Sequence, residues 1–367
     1  MIRRLPLLLL AAALPALVPA GPATAGPDDR PTCAAYHDRP AGMPWQTRRL
    51  APQRAWPTSR GRGVIVAVLD SGTNGDHPQL AGRVLPGTDL VRGRGTADTD
   101  CNGHGSIVGG IIAAHDSTDT WFSGVAPDAT LLPVRIADDT ARFEHGSARI
   151  AHAIRYAVDH HASVVNLSVT TEDSGELRAA VRYAHEHDVL LVAAAGNGNH
   201  DDAPTWPAAY PDVIAVSGID RRGAHVESAN HGDWVDLAAP GAEIVGPAAV
   251  GDGYAQGDGT SFAAPFVSGT AALVRAYRPE LTTAQVTRRL EATADQPADG
   301  RDDLVGYGVV NPYRALTAVL GPADRAAPAA GGLPASGRLP AAARPTAAGS
   351  GNTAALSLAG GAAVLVV

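Results

Sequence analysis

Short runs of apolar residues alternate with helix-like patterns between about residues 61 and 320 of the chain. The runs are continuous rather than interrupted at every second position, which is typical of strands buried on both faces of a sheet. The pattern predicts strands over residues 64–70, 131–137, 164–169, 189–196 and 213–219.

Between the predicted strands, apolar residues recur at helical spacing. Residues 147–160 are the clearest case, because Ile150, Ile154 and Ala157 fall on one face of a helix. Helices are predicted over residues 104–114, 147–160, 176–187, 261–277 and 283–293. This alternation predicts an α/β fold, a doubly wound and mostly parallel sheet with helices on both faces.

The composition limits the possible functions. The chain has 367 residues, with 29 Lys and Arg against 37 Asp and Glu and a formal net charge of -8. Since a general nucleic-acid binder usually carries a basic field, nucleic acid is not an expected partner. Hydrophobic residues make up 45% of the chain, which suits a large core and excludes wholesale disorder. Two cysteines are too few for a disulfide-rich scaffold or a Cys-based zinc finger.

The sequence predicts neither a metal ion nor a cofactor. The histidines show no zinc-ligand spacing of the His-Glu-x-x-His type. The acidic pairs Asp98/Asp100 and Asp201/Asp202 are candidates for calcium, but they lack EF-hand spacing and two carboxylates alone bind calcium poorly. We therefore expect both pairs to lie in solvated loops.

The first 25 residues have the pattern of a secretory signal peptide. Arg3 and Arg4 precede an apolar stretch, and Ala23 and Ala25 then form an A-x-A cleavage site. An N-terminal membrane anchor is the alternative, which the prolines and the small-residue site disfavour. We expect a mature chain that begins near Gly26 outside the cytoplasm, with residues 26–60 as an N-terminal extension and residues 61–320 as the catalytic domain.

The far end of the sequence differs in composition. Residues 321–352 are rich in Ala, Pro and Gly, as in a linker that cannot bury a core. Residues 353–367 are apolar but shorter than the roughly 20 residues that cross a bilayer. They are interpreted as the beginning of a truncated membrane anchor or as a short segment at a membrane interface, so the protein is expected to be either anchored on the outer side of the cell membrane or secreted.

Four polar segments can supply chemistry at the carboxyl edge of the sheet, where sites of such folds lie. Asp70 ends the first predicted strand, and His104 and Ser261 each begin a predicted helix. A serine hydroxyl becomes a nucleophile when an imidazole takes its proton, and a buried carboxylate orients that imidazole. The Asn197 amide and the Ser261 N–H could donate to a developing oxyanion. Each residue taken singly could instead be a structural cap.

The ordered motifs VLDSG, NGHGS, AAAGN and GTSFAAP resemble those of the subtilisin-like serine proteases. The resemblance covers about residues 61–318 and implies a subtilisin-like fold. It implies that Asp70 is the orienting acid, His104 the general base and acid, and Ser261 the nucleophile of a serine endopeptidase that acts on proteins or peptides. It gives Asn197 the role of oxyanion donor.

The same resemblance implies where a substrate binds. In this family, the strand that corresponds to residues 164–169 and the loop that follows it line the pocket for the residue before the scissile bond. The implied substrate-binding residues are Val164, Leu167, Ser168, Val169 and Gly196. The alternative for residues 164–169 is a plain core strand.

A narrower resemblance lies in the flanking segments. The stretch PWQTRRLAPQRAWPTSRGRGVIVAVLDSG, the phrase HPQLAGRVLPGTDL and the ending GRDDLVGYGVVNPYRAL are similar to those of the mycosins, membrane-anchored proteases associated with type VII secretion. The resemblance implies a type VII secretion membrane complex as a partner. It leaves two further candidates: a structural subunit of such a complex with secondary or autoinhibited proteolysis, and an esterase, which the absence of a G-x-S-x-G elbow disfavours.

The two cysteines are predicted to pair. In an exported protein, Cys33 and Cys101 suggest one disulfide rather than two thiols, and mycosins fasten their extension to the catalytic domain in a similar way. Such a bond closes a loop of about 70 residues and stabilises the fold by about 4 kcal/mol on the chain-entropy model. It would hold the extension beside His104.

Overall fold

A computed structural model of the chain describes residue 33 and residues 35–138, 146–198 and 203–321. The predicted signal peptide, the linker after residue 321, the apolar tail and the Asp201/Asp202 pair lie outside the described residues. Across the ranges described, no helix is both long and apolar enough to cross a membrane.

A seven-stranded parallel sheet forms the centre of the fold, in the order β2-β3-β1-β4-β5-β6-β7. All of the predicted strands are present in it. The strands are β1 (Ile65–Asp70), β2 (Thr88–Asp89), β3 (Thr130–Arg135), β4 (Val164–Leu167), β5 (Leu190–Ala194), β6 (Val213–Ile219) and β7 (Leu237–Pro240).

The strand order reverses at β1. The chain first adds β3 on one side of β1, with Asp70 in register with Arg135, and later returns to place β4 on the other side. Such a reversal opens a crevice beyond the carboxyl ends of the strands, because successive crossover helices leave in opposite directions. Asp70 is the last residue of β1 and therefore faces this crevice.

Helices cover both faces of the sheet, as predicted. Helices α2, α5, α6 and α7 pack on one face and α3 and α4 on the other. The described helices are α1 (Trp45–Leu50), α2 (His104–Ala113), α3 (Ser147–Asp159), α4 (Gly175–Glu186), α5 (Thr260–Tyr277), α6 (Thr283–Thr293) and α7 (Pro312–Thr317).

The core consists of two apolar layers separated by the sheet. Alternate residues of β1 point into opposite layers, with Val66 and Val68 on the α2/α5 side and Ala67 and Leu69 on the α3/α4 side. Both layers are fully buried at β1, which explains why this strand reads as a continuous apolar run. The burial holds the carboxyl end of β1 in a fixed position.

The segment before residue 61 lies on the surface of this α/β body. Trp45 donates its indole N–H to the carbonyl of Ala242 at 2.9 Å, and Trp56 donates to the carbonyl of Val125 at 3.0 Å. Ser59, which is buried, donates to the carbonyl of Leu273 in α5. Each contact joins residues far apart in sequence, so the segment is fastened along its length.

The beginning of this segment adjoins a two-stranded hairpin of β8 (Ile244–Pro247) and β9 (Tyr254–Gly257). Tyr36 donates its N–H to the carbonyl of Val250 and accepts from the N–H of Gly253. Just before it, Cys33 forms the expected disulfide with Cys101, with a Cα–Cα distance of 5.1 Å. The bond joins the extension to the loop that leads into α2.

Candidate active site

Asp70 and His104 meet at the carboxyl end of β1. The side chain of Asp70 has no exposed surface, and the Nδ1 atom of His104 lies 2.7 Å from its Oδ1 and 2.9 Å from its Oδ2. Because an ionised carboxylate can only accept, Nδ1 is the donor and carries the hydrogen. The Nε2 atom of His104 is therefore the nitrogen that can accept a proton.

His104 is the first residue of α2, and the residues beside it are small. A Cβ on Gly105 would collide with the carbonyl oxygen of Gly72, so only glycine lets the start of α2 approach the end of β1. The imidazole is 15% exposed. The imidazole ring packs on Phe262, with 4.9 Å between ring centroids.

The pKa of His104 is raised above its ordinary value of 6.5. Burial is the largest single influence and lowers the pKa, since it disfavours the charged imidazolium. The charge of Asp70, the hydrogen bond with it and the charge of Asp100 together outweigh burial. The site thus stabilises the protonated imidazole. A general base needs this stabilisation, because it holds a proton during part of the reaction.

Asp100 is a second buried carboxylate near His104, at the N-terminal end of α2. Its Oδ1 accepts from the N–H of Asn102 and of Gly103, each at 3.0 Å, and its Oδ2 accepts from the N–H and the hydroxyl of Ser106. Its exposed fraction is 2%. The expectation of a solvated loop is therefore wrong for Asp100, because its carboxylate satisfies the otherwise unpaired N–H groups at the start of α2.

Ser71 links the two carboxylate loops. Its hydroxyl donates to Asp100 Oδ1 at 3.0 Å and accepts from the N–H of Gly105 at 3.0 Å, while its own N–H donates to Asp70 Oδ1 at 2.7 Å. Ser71 is fully buried. The orientation of His104 thus depends on a closed set of hydrogen bonds around the start of α2.

Arg135, at the end of β3, is hydrogen-bonded to the loop after Asp70 and to the loop before Asp100. Its guanidinium donates to the carbonyl of Ser71 and, at 2.6 Å, to the carbonyl of Thr99. Its Nε lies 2.9 Å from Asp89 Oδ2, and both side chains are almost completely buried. One guanidinium therefore spans the loop after Asp70 and the loop before Asp100.

Replacement of Asp100 by Ala is expected to lower the free energy of unfolding by about 3 kcal/mol, because it leaves several buried donors without their charged acceptor. Urea denaturation followed by tryptophan fluorescence measures the effect. Asp98→Ala, two residues away and only partly buried, is the matched control and should change stability by less than about 1 kcal/mol. Equal losses in the two variants would contradict the capping role of Asp100.

Ser261 lies in the first turn of α5, next to the ring that packs on His104. In this structure its hydroxyl donates to the carbonyl of Ser168 at 3.1 Å, so the hydroxyl is directed to the end of β4 rather than hydrogen-bonded to the imidazole. The neighbouring residue Phe262 contacts His104. The structure thus brings Asp70 and His104 into contact. Ser261 adjoins Phe262, which packs on His104, but its hydroxyl is hydrogen-bonded to the carbonyl of Ser168 and not to the imidazole.

A chain of buried polar groups fixes Ser261 to β4. Ser268 donates to Asn166 Oδ1 at 2.8 Å, the amide of Asn166 donates to the Ser168 hydroxyl at 2.9 Å, and that hydroxyl donates to the carbonyl of Ser261 at 2.6 Å. Asn166 and Ser268 have no exposed surface. Since each member has a partner, the chain positions α5 rigidly against the sheet.

Asn197 follows β5 and lies at the N-terminal end of α5. Its Oδ1 accepts from the N–H of Thr260 at 2.8 Å, which leaves its amide Nδ2 available as a donor. The residue is exposed. Within the described part of the chain, the N–H of Ser261 forms no hydrogen bond, so two donors lie at the start of α5, where the helix dipole favours negative charge.

The residues expected to contact substrate divide into two groups. Val164 and Leu167 have no exposed surface and pack into opposite apolar layers, so for these two the core-strand interpretation fits and their side chains do not reach the crevice. Ser168 and Val169 follow β4, and Gly196 follows β5; Ser168 contacts Ser261, and Gly196 contacts the neighbouring Thr260. A contact of these three residues with a substrate stays a prediction.

Sequence reasoning missed several residues of this site. Asp100 lies three residues before Gly103, the N-cap of α2, which is outside the position where sequence rules expect a capping residue. Asn166 lies inside an apolar run, and a buried amide at such a position is a signal for a polar network.

No three His, Cys, Asp or Glu side chains in the described ranges converge to hold a metal ion.

The fold and these contacts define a subtilisin-type α/β serine peptidase, and comparison with known proteins supports this class. The subtilase family profile matches residues 61–308. The chain belongs to this family of serine peptidases. It is 38% identical over 268 residues to a thermophilic serine proteinase of Bacillus sp. strain AK1, an alignment that takes in 72% of this chain and 64% of that proteinase.

Among its relatives are mycosins, as the flanking segments suggested. The chain is 35% identical to Mycosin-1 of Mycobacterium tuberculosis over 347 residues, which cover 80% of this chain and 76% of the relative. The crystal structure of MycP1 from Mycobacterium smegmatis matches with a TM-score of 0.71 and 32% identity, over 82% of this chain and 92% of the other. The resemblance to mycosins is thus present in both sequence and fold.

Proposed function

We propose that the protein is an exported serine endopeptidase in which Ser261 is the nucleophile, His104 the general base and acid, and Asp70 the orienting carboxylate. The observation that carries this proposal is the buried 2.7 Å contact between Asp70 and His104 beside the first turn of α5. It leaves Nε2 of His104 as the nitrogen that can accept a proton, and Phe262, the residue after Ser261, packs on the same imidazole ring.

The reaction begins with rotation of the Ser261 side chain away from the Ser168 carbonyl and towards Nε2 of His104. His104 takes the hydroxyl proton as the oxygen attacks the carbonyl carbon of a peptide bond, and the resulting imidazolium is stabilised by Asp70. The developing oxyanion accepts from the Asn197 amide and the Ser261 N–H. His104 then protonates the leaving amine, and an acyl-enzyme forms.

A water molecule completes the cycle. His104 takes a proton from the water, the hydroxide attacks the acyl carbon, and the returned proton restores the Ser261 hydroxyl as the carboxylic acid leaves. Each pass consumes one water and cleaves one peptide bond. Ser71 and Asp100 hold the ends of the elements that carry Asp70 and His104, and Asn166 holds the first turn of α5 through Ser168.

The proposed cellular setting is supported by the composition of residues 1–25 and 321–367 and by the mycosin relatives. One solved relative is described as MycP1 from the ESX-1 type VII secretion system. With residues 1–25 as signal peptide, 26–60 as extension, 321–352 as linker and 353–367 as part of an anchor, this chain would act outside the cytoplasm beside such a secretion complex. Proteins or peptides handled there are its substrates.

A structural subunit of a secretion complex is the second candidate function. The observation in its favour is that the Ser261 hydroxyl donates to Ser168, an arrangement in which the nucleophile is not engaged with its base. A scaffold with secondary proteolysis would keep this rotamer.

A fluorophosphonate probe tests the proposal, since it labels only an activated serine. We expect labelling of the full chain, loss of labelling in Ser261→Ala, and unchanged labelling in Ser228→Ala, an exposed serine used as the matched control. No labelling of the folded wild-type protein would overturn the enzymatic role. Secretion that is lost on deletion of the protein but kept with Ser261→Ala would then support the scaffold.

A further inference from the structure

A cavity of about 340 Å³ lies at the end of α5 that is remote from Ser261. It is lined by Tyr277 and Arg278 at the end of α5, by Arg289 of α6, and by residues 316–320 at and after the end of α7. Because α5 has 18 residues, the cavity is about 25 Å from Ser261 along the helix axis. It is therefore a feature separate from the candidate active site.

The lining of this cavity is positively charged, since it contains the guanidinium groups of Arg278 and Arg289 and no carboxylate. Arg289 is 6% exposed. Its Nε and Nη2 atoms donate to carbonyls at the end of α7, those of Ala315, Leu316 and Ala318. Its Nη1 atom forms no hydrogen bond with the residues that the structure describes. One edge of this guanidinium thus holds α7, and Nη1 can donate to another acceptor.

The other buried arginines of the described chain each have a carboxylate partner. Arg135 lies 2.9 Å from the carboxylate of Asp89, and Arg275 lies 2.7 Å from another carboxylate. For Arg289 the only charged groups that influence the pKa are Arg278 and the Tyr277 phenol. Burial lowers the pKa of Arg289, and the charge of Arg278 lowers it further. Because a buried cation without a counter-ion is costly, this cavity favours an anion.

Arg278 brings a second guanidinium to the cavity. Its Nε is buried without a hydrogen-bond partner, and the guanidinium lies over the ring of Tyr277, 5.2 Å from the centroid. This stacking orients the guanidinium and uses none of its donors. A cation at the end of α5 also suits the helix dipole. The dipole accounts for one arginine at this place, but not for a second one beside it.

The rim of the cavity is exposed and partly apolar. Tyr277 is 45% exposed, and Val319 is almost fully exposed. Tyr313 lies one turn before Thr317 on α7, and Arg54 lies over its ring at 4.5 Å from the centroid. Exposed tyrosines beside arginines without carboxylate partners are typical of a surface that contacts the headgroup region of an anionic membrane.

We propose that Arg278 and Arg289 bind a phosphate group in this cavity, and that this phosphate belongs to the headgroup of an anionic phospholipid. A guanidinium suits phosphate because its planar fork offers parallel donors to the oxygens. The exposed rim favours a lipid over a free phosphate, since it adds apolar contacts beside the charge. The inference does not depend on the proposed peptidase function.

The first arm of the test measures the binding of inorganic phosphate to the full chain by isothermal titration calorimetry at constant ionic strength. We expect Arg278→Gln to weaken binding by at least about tenfold, because it removes a charge-assisted hydrogen bond. Arg94→Gln removes an exposed arginine in the loop after β2 and is the matched control, which should bind as the wild type does. Arg289 is left unchanged, because it also holds the end of α7.

The second arm measures co-sedimentation of the full chain with vesicles of phosphatidylcholine, with and without phosphatidylglycerol. The net charge of -8 repels the chain from anionic vesicles, so a preference for phosphatidylglycerol reports a local site. We expect this preference in the wild type and in Arg94→Gln, and an at least about tenfold weaker partition of Arg278→Gln. Any contribution of residues 353–367 is the same in all three proteins.

The combination of outcomes separates the two sources of phosphate. Losses confined to Arg278→Gln in both arms, or in the vesicle arm alone, support the lipid site. A loss in the phosphate arm alone keeps the phosphate site and overturns the lipid as its source. Equal behaviour of Arg278→Gln and Arg94→Gln in both arms, or no binding of the wild type to either probe, overturns the inference. Circular dichroism checks that each variant is folded.

Discussion

Replacement of His104 by Ala is expected to lower kcat by about 10⁶-fold, because among the residues that the structure describes we assign only His104 to take the Ser261 proton. The fold should persist, since the 15% exposed imidazole contributes packing against Phe262 while Asp100 and Ser71 still hold the start of α2. Initial rates on a peptide that the wild-type chain cuts measure the effect, with circular dichroism to check the fold.

The matched control is His160→Ala. His160 is exposed, and its Nδ1 contacts the carbonyl of Tyr156 at the end of α3, so its removal should change kcat by less than about twofold, as for a surface substitution away from the site. A His104→Ala variant that keeps more than about one hundredth of wild-type kcat would contradict the role of general base.

Replacement of Asp70 by Asn is expected to lower kcat by about 10⁴-fold while leaving the fold intact, because the amide is nearly isosteric with the carboxylate. An amide that donates to Nδ1 favours the wrong tautomer of His104, and it carries no charge to stabilise the imidazolium. The exposed residue Asp116 provides the control, and Asp116→Asn should leave kcat nearly unchanged. Comparable losses in both variants would contradict the assignment.

The same variant should shift the pH profile. The pKa of His104 is raised because the charge and hydrogen bond of Asp70, with a contribution from Asp100, outweigh burial. Activity needs the neutral imidazole, so wild-type kcat/KM should fall as the pH drops through a pKa above 6.5. In Asp70→Asn the influence of burial remains while that of Asp70 is lost, so the pKa falls and the acidic limb moves to lower pH.

Stability has the opposite dependence on protonation. Since the folded state raises the pKa of His104, the protonated pair stabilises the fold below the pKa of the unfolded chain, and this contribution is lost as the pH rises through the folded-state pKa. Chemical denaturation of the wild type and of Asp70→Asn across this window measures the difference. The enzyme is thus catalytically active where this ion pair no longer contributes to stability.

The sequence predicted the interior of the sheet well. Strands β1, β3, β4, β5 and β6 are buried on both faces. A continuous apolar run is typical of such a strand. It missed β2 and β7, because a two-residue strand and a strand ending in Pro240 carry no periodic signal. The hairpin of β8 and β9 was missed for the same reason.

For the candidate site, the sequence indicated which polar residues lie at strand and helix ends, and it did not indicate the hydrogen bonds that hold them. Asp70, His104 and Asn197 lie where motifs at strand and helix ends placed them, and the contact of Asp70 with His104 is observed. The hydrogen bond of Ser261 to Ser168 could not be predicted, since a rotamer depends on packing between elements 93 residues apart in sequence. Asp100 and Asn166 act through three-dimensional networks that no local pattern encodes.

Arg135 has a consequence for any attempt to redesign this enzyme. Its guanidinium donates to the loop after Asp70 and to the loop before Asp100, and it forms an ion pair with Asp89. Substitutions in those three segments should therefore be strongly epistatic: a change that is tolerated in one loop becomes damaging once the shared cation is altered. Libraries that vary the segments one at a time would miss the combinations that work, so they have to be varied together.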